Sequence, residues 1–238
     1  MKRSLIYLMC FALSLSAIPC AIFGRAQSRP EIQLLETGTF HGEEVSAETG
    51  EQWLGLFPTE NGFALIPTTI NIEAVHDEVG DDVGEMTGKR VGVDRDAKPV
   101  FLIKGAGMLK AGPVASVFGS ERRLGNEDLI DLKLGDRGYE LKVKGKSANR
   151  ADFILPDSEV LLTLGRGTQA LDSFRYGEVN EPHAALIWAG DLDGDGKLDL
   201  YIELGHHYDI SSDVLFLSSQ AARGELLREV AAFETGGC

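Results

Sequence analysis

An all-β fold is the class that this sequence predicts, either an antiparallel β-sandwich or a barrel-like sheet with little helix. Short runs of alternating or continuous apolar residues recur along the chain, and polar or charged turns separate them. Glycine is frequent, with 28 residues, and most of it falls between these runs. Many short strands with turn signals at regular spacing are typical of sandwiches and barrels.

The candidate strands follow one another through the whole chain. Those of the N-terminal half span residues 32–36, 40–46, 52–57, 63–75, 99–104, 114–118, 128–134 and 139–144. Those of the C-terminal half span residues 159–164, 184–188, 198–204 and 214–218. Residues 226–233 fit neither the helix nor the strand period cleanly, so both remain open. Gly135-Asp136-Arg137-Gly138 predicts a hairpin turn between two of the strands.

Helix signals are scarce. The best is residues 218–224, where Ser218 or Ser219 could cap a single turn that Gly224 ends. The polar stretch 145–150 predicts a hairpin or a linker, and it divides the chain into two candidate sub-halves, 27–145 and 151–238.

The N-terminus predicts export. Lys2 and Arg3 precede an apolar run over residues 5–17, which is too short to anchor the chain in a bilayer. Cleavage after Ala26 fits the small-x-small rule and gives a signal peptide of residues 1–26 and a β-rich domain of residues 27–238. A cut after Ala17 is the alternative. We therefore expect a periplasmic or extracellular protein with no membrane insertion after removal of the signal.

Composition limits the partners of the mature chain. Cleavage after Ala26 removes three of the 23 basic residues and none of the 37 acidic ones, which takes the net charge from −14 to −17. So negative a chain is a poor match for nucleic acid and for anionic membrane surfaces. The same cut leaves Cys238 alone, so no internal disulfide is expected.

Ten residues near the C-terminus carry the strongest chemical signal. Residues 191–200 read Asp-Leu-Asp-Gly-Asp-Gly-Lys-Leu-Asp-Leu. Asp191, Asp193, Asp195 and Asp199 place carboxylates at loop positions 1, 3, 5 and 9, and the carbonyl of Lys197 stands at position 7. Calcium takes six to eight oxygen ligands at about 2.3–2.6 Å, and this spacing can supply most of them. The loop therefore predicts a calcium site.

Two further features favour calcium. Gly196, at position 6, can adopt the positive φ that the sharp turn of such a loop requires. Four carboxylates within nine residues repel one another unless a cation lies between them. Magnesium fits less well because it prefers fewer protein ligands in a tighter octahedron.

The flanks show which kind of calcium loop this is. Position 12 is Ile202 and not the bidentate Glu of a helix-loop-helix site, while strand-like runs 184–188 and 198–204 lie on either side. Residues 184–204 resemble the strand–loop–strand calcium motif of FG-GAP (integrin-α-like) and VCBS repeats, and residues 190–199 match its G-D-x-D-x-D-G-x-x-D pattern. Only one copy is found. The resemblance therefore implies the calcium site and not a repeat propeller.

Other polar groups are weaker candidates. His207 follows the second strand, and we expect it to steady a calcium ligand through a hydrogen bond. Adjacent His206 and His207 would point to opposite faces of a strand, which disfavours a shared zinc ion. The acidic residues between 77 and 85 lack the alternate spacing and predict a solvated loop. No nucleophile–base pair or phosphate-binding loop is found in the sequence.

Three functions remain after these observations. The favoured one is a non-enzymatic, exported calcium-binding β domain whose ion stabilises the fold and which binds a protein or glycan partner. A calcium-dependent adhesion or carbohydrate-binding module is the first alternative, and it needs an exposed aromatic such as Tyr208 near the ion. A secreted hydrolase with a structural calcium is the second, and no motif identifies its catalytic pair.

Overall fold

The computed structural model describes residues 32–145 and 153–237, and these residues form two antiparallel sheets without a helix. The predicted all-β class is therefore confirmed. The predicted signal peptide, residues 1–26, and Cys238 lie outside the described residues. Within those residues no helix is long and apolar enough to cross a membrane.

The larger sheet has twelve strands. They are β1 (Gln33–Leu35), β2 (Gly38–Phe40), β3 (Gln52–Thr59), β4 (Gly62–Val75), β5 (Gly88–Val93), β6 (Leu102–Lys104), β7 (Gly112–Phe118), β8 (Arg122–Arg123), β13 (His183–Asp191), β14 (Asp199–Gly205), β15 (Ile210–Leu217) and β16 (Arg228–Gly236). The smaller sheet contains β9 (Leu129–Leu134), β10 (Arg137–Gly145), β11 (Ser158–Leu164) and β12 (Gly167–Phe174).

The larger sheet is nearly closed into a barrel-like shape. Its main path runs β1-β6-β3-β4-β7-β13-β14-β15-β16, and the first strand of that path lies beside the last. One apolar core fills the interior, where Trp53, Leu56, Trp188 and Tyr201 are buried. The two strands at the ends of the path, β1 and β16, lie side by side but do not pair with each other.

The smaller sheet covers the outer face of β13, β14 and β15. A second core forms there, in which Leu200 and Ile202 of β14 pack with residues of the small sheet such as Leu141 and Leu162. Side chains of a strand alternate between faces, so Leu200 and Ile202 enter this second core while Tyr201 enters the barrel core. β14 is thus buried on both faces, and not on one as its alternation suggests.

Several strand predictions need correction. Residues 41–44 form a turn, so the strand expected over 40–46 is instead β2, which ends at Phe40. The apolar pattern does not predict β5, β8 or β12, because glycine and polar residues occupy most of their positions. The expected helical turn over residues 218–224 does not form. The ambiguous segment 226–233 contributes to a strand, β16, because it pairs with β15.

The two candidate sub-halves do not correspond to two sheets. β10 and β11, on either side of residues 146–152, pair with each other in a register that joins Lys144 to Glu159 and Gly145 to Ser158. Residues 146–152 lie outside the described residues, and they connect neighbouring strands of one sheet. The strands of the barrel likewise come from both parts of the chain.

Candidate metal centre

The aspartate loop joins β13 to β14, as the sequence predicts. β13 ends at Asp191 and β14 begins at Asp199, which makes this a strand–loop–strand arrangement. The two leucines of the loop are buried in different cores, Leu192 in the barrel core and Leu198 in the second core. These two anchors hold the polar part of the loop at the junction of the barrel and the small sheet.

Three of the predicted ligands come together. Asp191, Asp193 and Asp195 each offer a carboxylate oxygen, and these oxygens all lie within 4.8 Å of one another. Oδ2 of Asp193 is buried and has no hydrogen-bond partner among the described residues. Burying a carboxylate oxygen without a partner is costly, and a cation between the three carboxylates would remove that cost.

The backbone of the loop is shaped by its own carboxylates. Asp191 accepts hydrogen bonds from the amides of Gly194 and Gly196, at 2.8 and 2.9 Å. Gly194 and Gly196 have φ angles of 80° and 76°, so the positive φ expected at position 6 is present. The ammonium group of Lys197 contacts Oδ2 of Asp195 at 2.9 Å. The loop is thus already folded around the space between the three carboxylates.

Asp199 is placed apart from the other three carboxylates. Its side chain is fully buried and accepts the amides of Leu192 at 2.7 Å and Ser218 at 2.8 Å. Burial raises the pKa of Asp199 to about 7, and the nearby charge of Asp193 adds to the rise. Through these hydrogen bonds, Asp199 links the C-terminal ends of β13 and β15 beneath the loop.

Three residues that contact the loop were not identified from the sequence. The hydroxyl of Ser218 lies 3.1 Å from Oδ1 of Asp195 and 3.0 Å from Oδ1 of Asp199, so it links both carboxylates. Arg137, from the β9–β10 hairpin, donates to the carbonyl of Gly196 at 2.8 Å. The hydroxyl of Tyr139 accepts the amide of Leu198 at 3.3 Å. These contacts connect the loop to β15 and to the small sheet.

The structure does not bring His207 to the aspartate loop. The loop precedes the first residue of β14, whereas His207 lies beyond its last residue, at the opposite end of the strand. The ring of His207 contacts the side chains of Asn180 and Asp209. Tyr208, the exposed aromatic considered for a glycan site, is at the same far end. The expected hydrogen bond between His207 and an aspartate of the loop is therefore wrong. The hydroxyl of Ser218 contacts the aspartates Asp195 and Asp199 instead.

The second acidic cluster satisfies its carboxylates locally. Asp77 accepts the amides of Val79 and Gly80 and contacts the ring of His41 at 2.6 Å. Asp81 accepts the amide of Thr87 at 2.8 Å. Among the described residues, the loop at 191–195 provides the one group of three ligand atoms close enough to hold a metal ion. The expectation of a solvated loop fits Glu78, Asp82 and Glu85, which are exposed. It is wrong for Asp77 and Asp81, whose side chains are buried by these contacts.

Gly190, the first residue of the motif, has a packing role that leads to a prediction. A Cβ at this position would overlap the carbonyl oxygen of Ala115 and the ring of buried Trp188. We expect Gly190→Ala to lower the free energy of unfolding by about 1–3 kcal/mol, measured by urea denaturation. Gly107→Ala, where a Cβ meets open space, is the matched control and should change little. Equal stability of the two variants would contradict this packing role.

No family model, curated protein or solved structure matches this chain. The resemblance to the FG-GAP and VCBS motif therefore rests on the residues of the loop and its flanking strands alone.

Proposed function

We propose that this chain is an exported calcium-binding β protein in which the ion stabilises the junction of the barrel and the small sheet. The observation that carries the proposal is the buried oxygen of Asp193. No described residue donates a hydrogen bond to it, while the carboxylates of Asp191 and Asp195 stand beside it. Such a group of oxygens is the environment that a hard divalent cation prefers.

The ligand set would combine side-chain and backbone oxygens. Asp191, Asp193 and Asp195 would supply carboxylates, and the carbonyl of Lys197 would supply a fourth position, as the loop spacing predicts. Asp199 would act as a further ligand or, through its hydrogen bonds to Leu192 and Ser218, as the group that fixes the base of the loop. Calcium would offset the repulsion between these carboxylates.

The position of the loop supports a stabilising role. The loop contacts Ser218 after β15 and Arg137 and Tyr139 in the small sheet, so an ion that orders the loop would also strengthen these contacts. The predicted export signal would deliver the chain to a compartment where calcium is plentiful. A dissociation constant of about 10⁻⁴–10⁻³ M, as in extracellular calcium modules, would be sufficient there.

Calorimetric titration and native mass spectrometry test the binding itself. We expect one calcium ion per chain, and we expect Asp193→Asn to weaken binding because it removes one charge and one ligand oxygen from the centre of the site. Absence of binding at 10 mM calcium, about ten times the weakest constant expected for such modules, would refute the proposal.

Ser218 and His207 give a sharper test of how the loop is supported. Ser218→Ala removes the hydroxyl that lies between Asp195 and Asp199, so we expect calcium affinity to fall about tenfold. His207→Ala is the matched control, since its contacts are at the other end of β14, and its affinity should equal that of the wild type. A loss of calcium affinity in His207→Ala but not in Ser218→Ala, measured by the same titration, would contradict the geometry of the site.

A further inference from the structure

A polar cavity lies away from the aspartate loop. Its volume is about 420 Å³, and its charged lining is Glu36, Lys98, Glu121, Glu203 and Asp213. We call this cavity the acidic pocket. Four carboxylates face one ammonium group across it, while Phe63, Val100 and Ile187 provide apolar wall. These charged residues are far apart in the sequence, and only the closure of the sheet brings them together.

Asp213 is the nearly buried carboxyl of this pocket, and it has no hydrogen-bond partner among the described residues. Only 9% of its surface is exposed, and the exposed part lines the cavity. Its cross-strand neighbour in the β14–β15 pair is Glu203, so two carboxyl groups stand directly opposite each other and repel when both are ionised. Such a pairing is unfavourable, and a buried carboxylate without a donor is more so.

Glu36 and Glu203, in contrast, have partners, and Glu121 is exposed to solvent. Glu36 accepts the hydroxyl of Tyr201 at 2.6 Å. Glu203 accepts the hydroxyl of Ser211 at 2.7 Å, and the ring of His183 lies 3.4 Å from the same oxygen. Asp213 is thus a nearly buried acceptor that lines an open cavity, and this points to a ligand that brings the missing donor.

The ligand should be an organic cation and not a metal ion. A metal would need three ligand atoms close together, and among the described residues only the aspartates at 191–195 meet that condition. The excess of carboxylates selects for positive charge. The volume and the apolar wall are suited to a short aliphatic chain attached to that charge.

We propose that the acidic pocket binds a primary ammonium group on a short aliphatic chain, with Asp213 and Glu203 as its acceptors. An ammonium group has three donors and can serve both carboxylates at once. The methylene groups would pack on Phe63, Val100 and Ile187. A diamine would be favoured over a monoamine, because Glu36 and Glu121 leave negative charge for a second ammonium group.

Protonation should be linked to this binding. Burial raises the pKa of Asp213 to about 8, and the charges of Glu36, Glu203 and Glu121 add to the rise. The ligand needs the charged carboxylate, so affinity should increase as the pH rises from 6 to 8. The ammonium group of Lys98 lines the same pocket and repels a positively charged ligand, so it should weaken binding at every pH in this range.

Calorimetric titration with 1,4-diaminobutane in 150 mM salt tests the inference, with 1,4-butanediol as the uncharged probe of equal length. We expect saturable binding of the diamine, no binding of the diol, and a loss of at least tenfold in affinity for both Asp213→Asn and Glu203→Gln. Asp131→Asn, an exposed carboxylate on β9, is the control and should bind as the wild type does.

The outcomes separate this inference from the calcium proposal. Asp195→Ala should lose calcium and keep the diamine. Binding of diol and diamine with equal affinity, unchanged affinity in both pocket variants, or displacement of the diamine by stoichiometric calcium would each overturn the ammonium site. Two variants are used so that a folding defect in one does not decide the result.

Discussion

Calcium at a hundredfold excess over its dissociation constant is expected to raise the melting temperature by about 5–10 °C. A ligand that binds only the native state at this excess stabilises it by about 2.7 kcal/mol. In a domain of this size each kcal/mol shifts the melting temperature by about 2–4 °C. Scanning calorimetry with calcium and with chelator measures the shift.

Asp195→Ala should remove this shift, because it deletes one of the three clustered carboxylates. Asp96→Asn, an exposed carboxylate outside both sites, should retain it in full. Hydrogen exchange adds a local measurement, since calcium should slow exchange at the amides of Gly194 and Gly196. A wild-type protein that binds calcium with no change in melting temperature would refute the stabilising role while leaving binding intact.

Asp213→Asn is expected to stabilise the protein at pH 8 by about 2–4 kcal/mol and to have little effect at pH 4. Burial raises the pKa of Asp213 from 3.8 to about 8, so the native state holds one more proton than the unfolded state between these values. Stability therefore falls as the pH rises through this window, at up to about 1.4 kcal/mol per pH unit. Asparagine, which cannot ionise, removes this loss. Water entering the open pocket keeps the gain below the full value.

Urea denaturation of both proteins at pH 4, 6 and 8 measures this difference. The gap in unfolding free energy between variant and wild type should widen with pH, and Asp131→Asn should show no such widening. Parallel stability curves across the range would contradict a carboxyl that is neutral in the folded state at pH 7. The measurement is made without amines, so that no ligand supplies the missing positive charge.

The two effects expected for Asp213→Asn have opposite signs. The substitution should make the fold more stable and the acidic pocket unable to hold an ammonium group. A residue that lowers stability while serving a site is a common feature of functional positions. A gain in stability together with a loss of diamine binding would show that Asp213 is a binding residue. A gain in stability alone would show only an unfavourable buried charge.

The local parts of the fold were predicted well because their signals are local. The alternate aspartates and Gly196 lie within one loop, so their spacing alone predicts the turn and the clustering of Asp191, Asp193 and Asp195. The two-residue turn of the β9–β10 hairpin follows in the same way from the glycine and aspartate at its centre. Strands with apolar alternation or continuous apolar runs were also largely found.

Predictions failed where partners distant in sequence decide the outcome. Ser218 carries a good cap signal, but its hydroxyl and amide are bound to the carboxylates of Asp195 and Asp199, and no helix forms after it. The polar edge of β12 offers little apolar pattern, and pairing with β11 makes it a strand. His207 is near the loop in sequence, but the length of β14 separates it from the aspartates.

The sequence by itself determined the all-β class, the strand–loop–strand arrangement of the aspartates and their suitability for a hard cation. These properties depend on residue spacing, which the covalent chain fixes. Only the tertiary structure decided the burial of Asp199, the contacts of Ser218 and Arg137 with the loop, and the acidic pocket. Near closure of the larger sheet and packing of the smaller sheet bring together side chains from distant strands. How deeply these side chains are buried, and which charges surround them, therefore cannot be inferred from any local stretch of sequence.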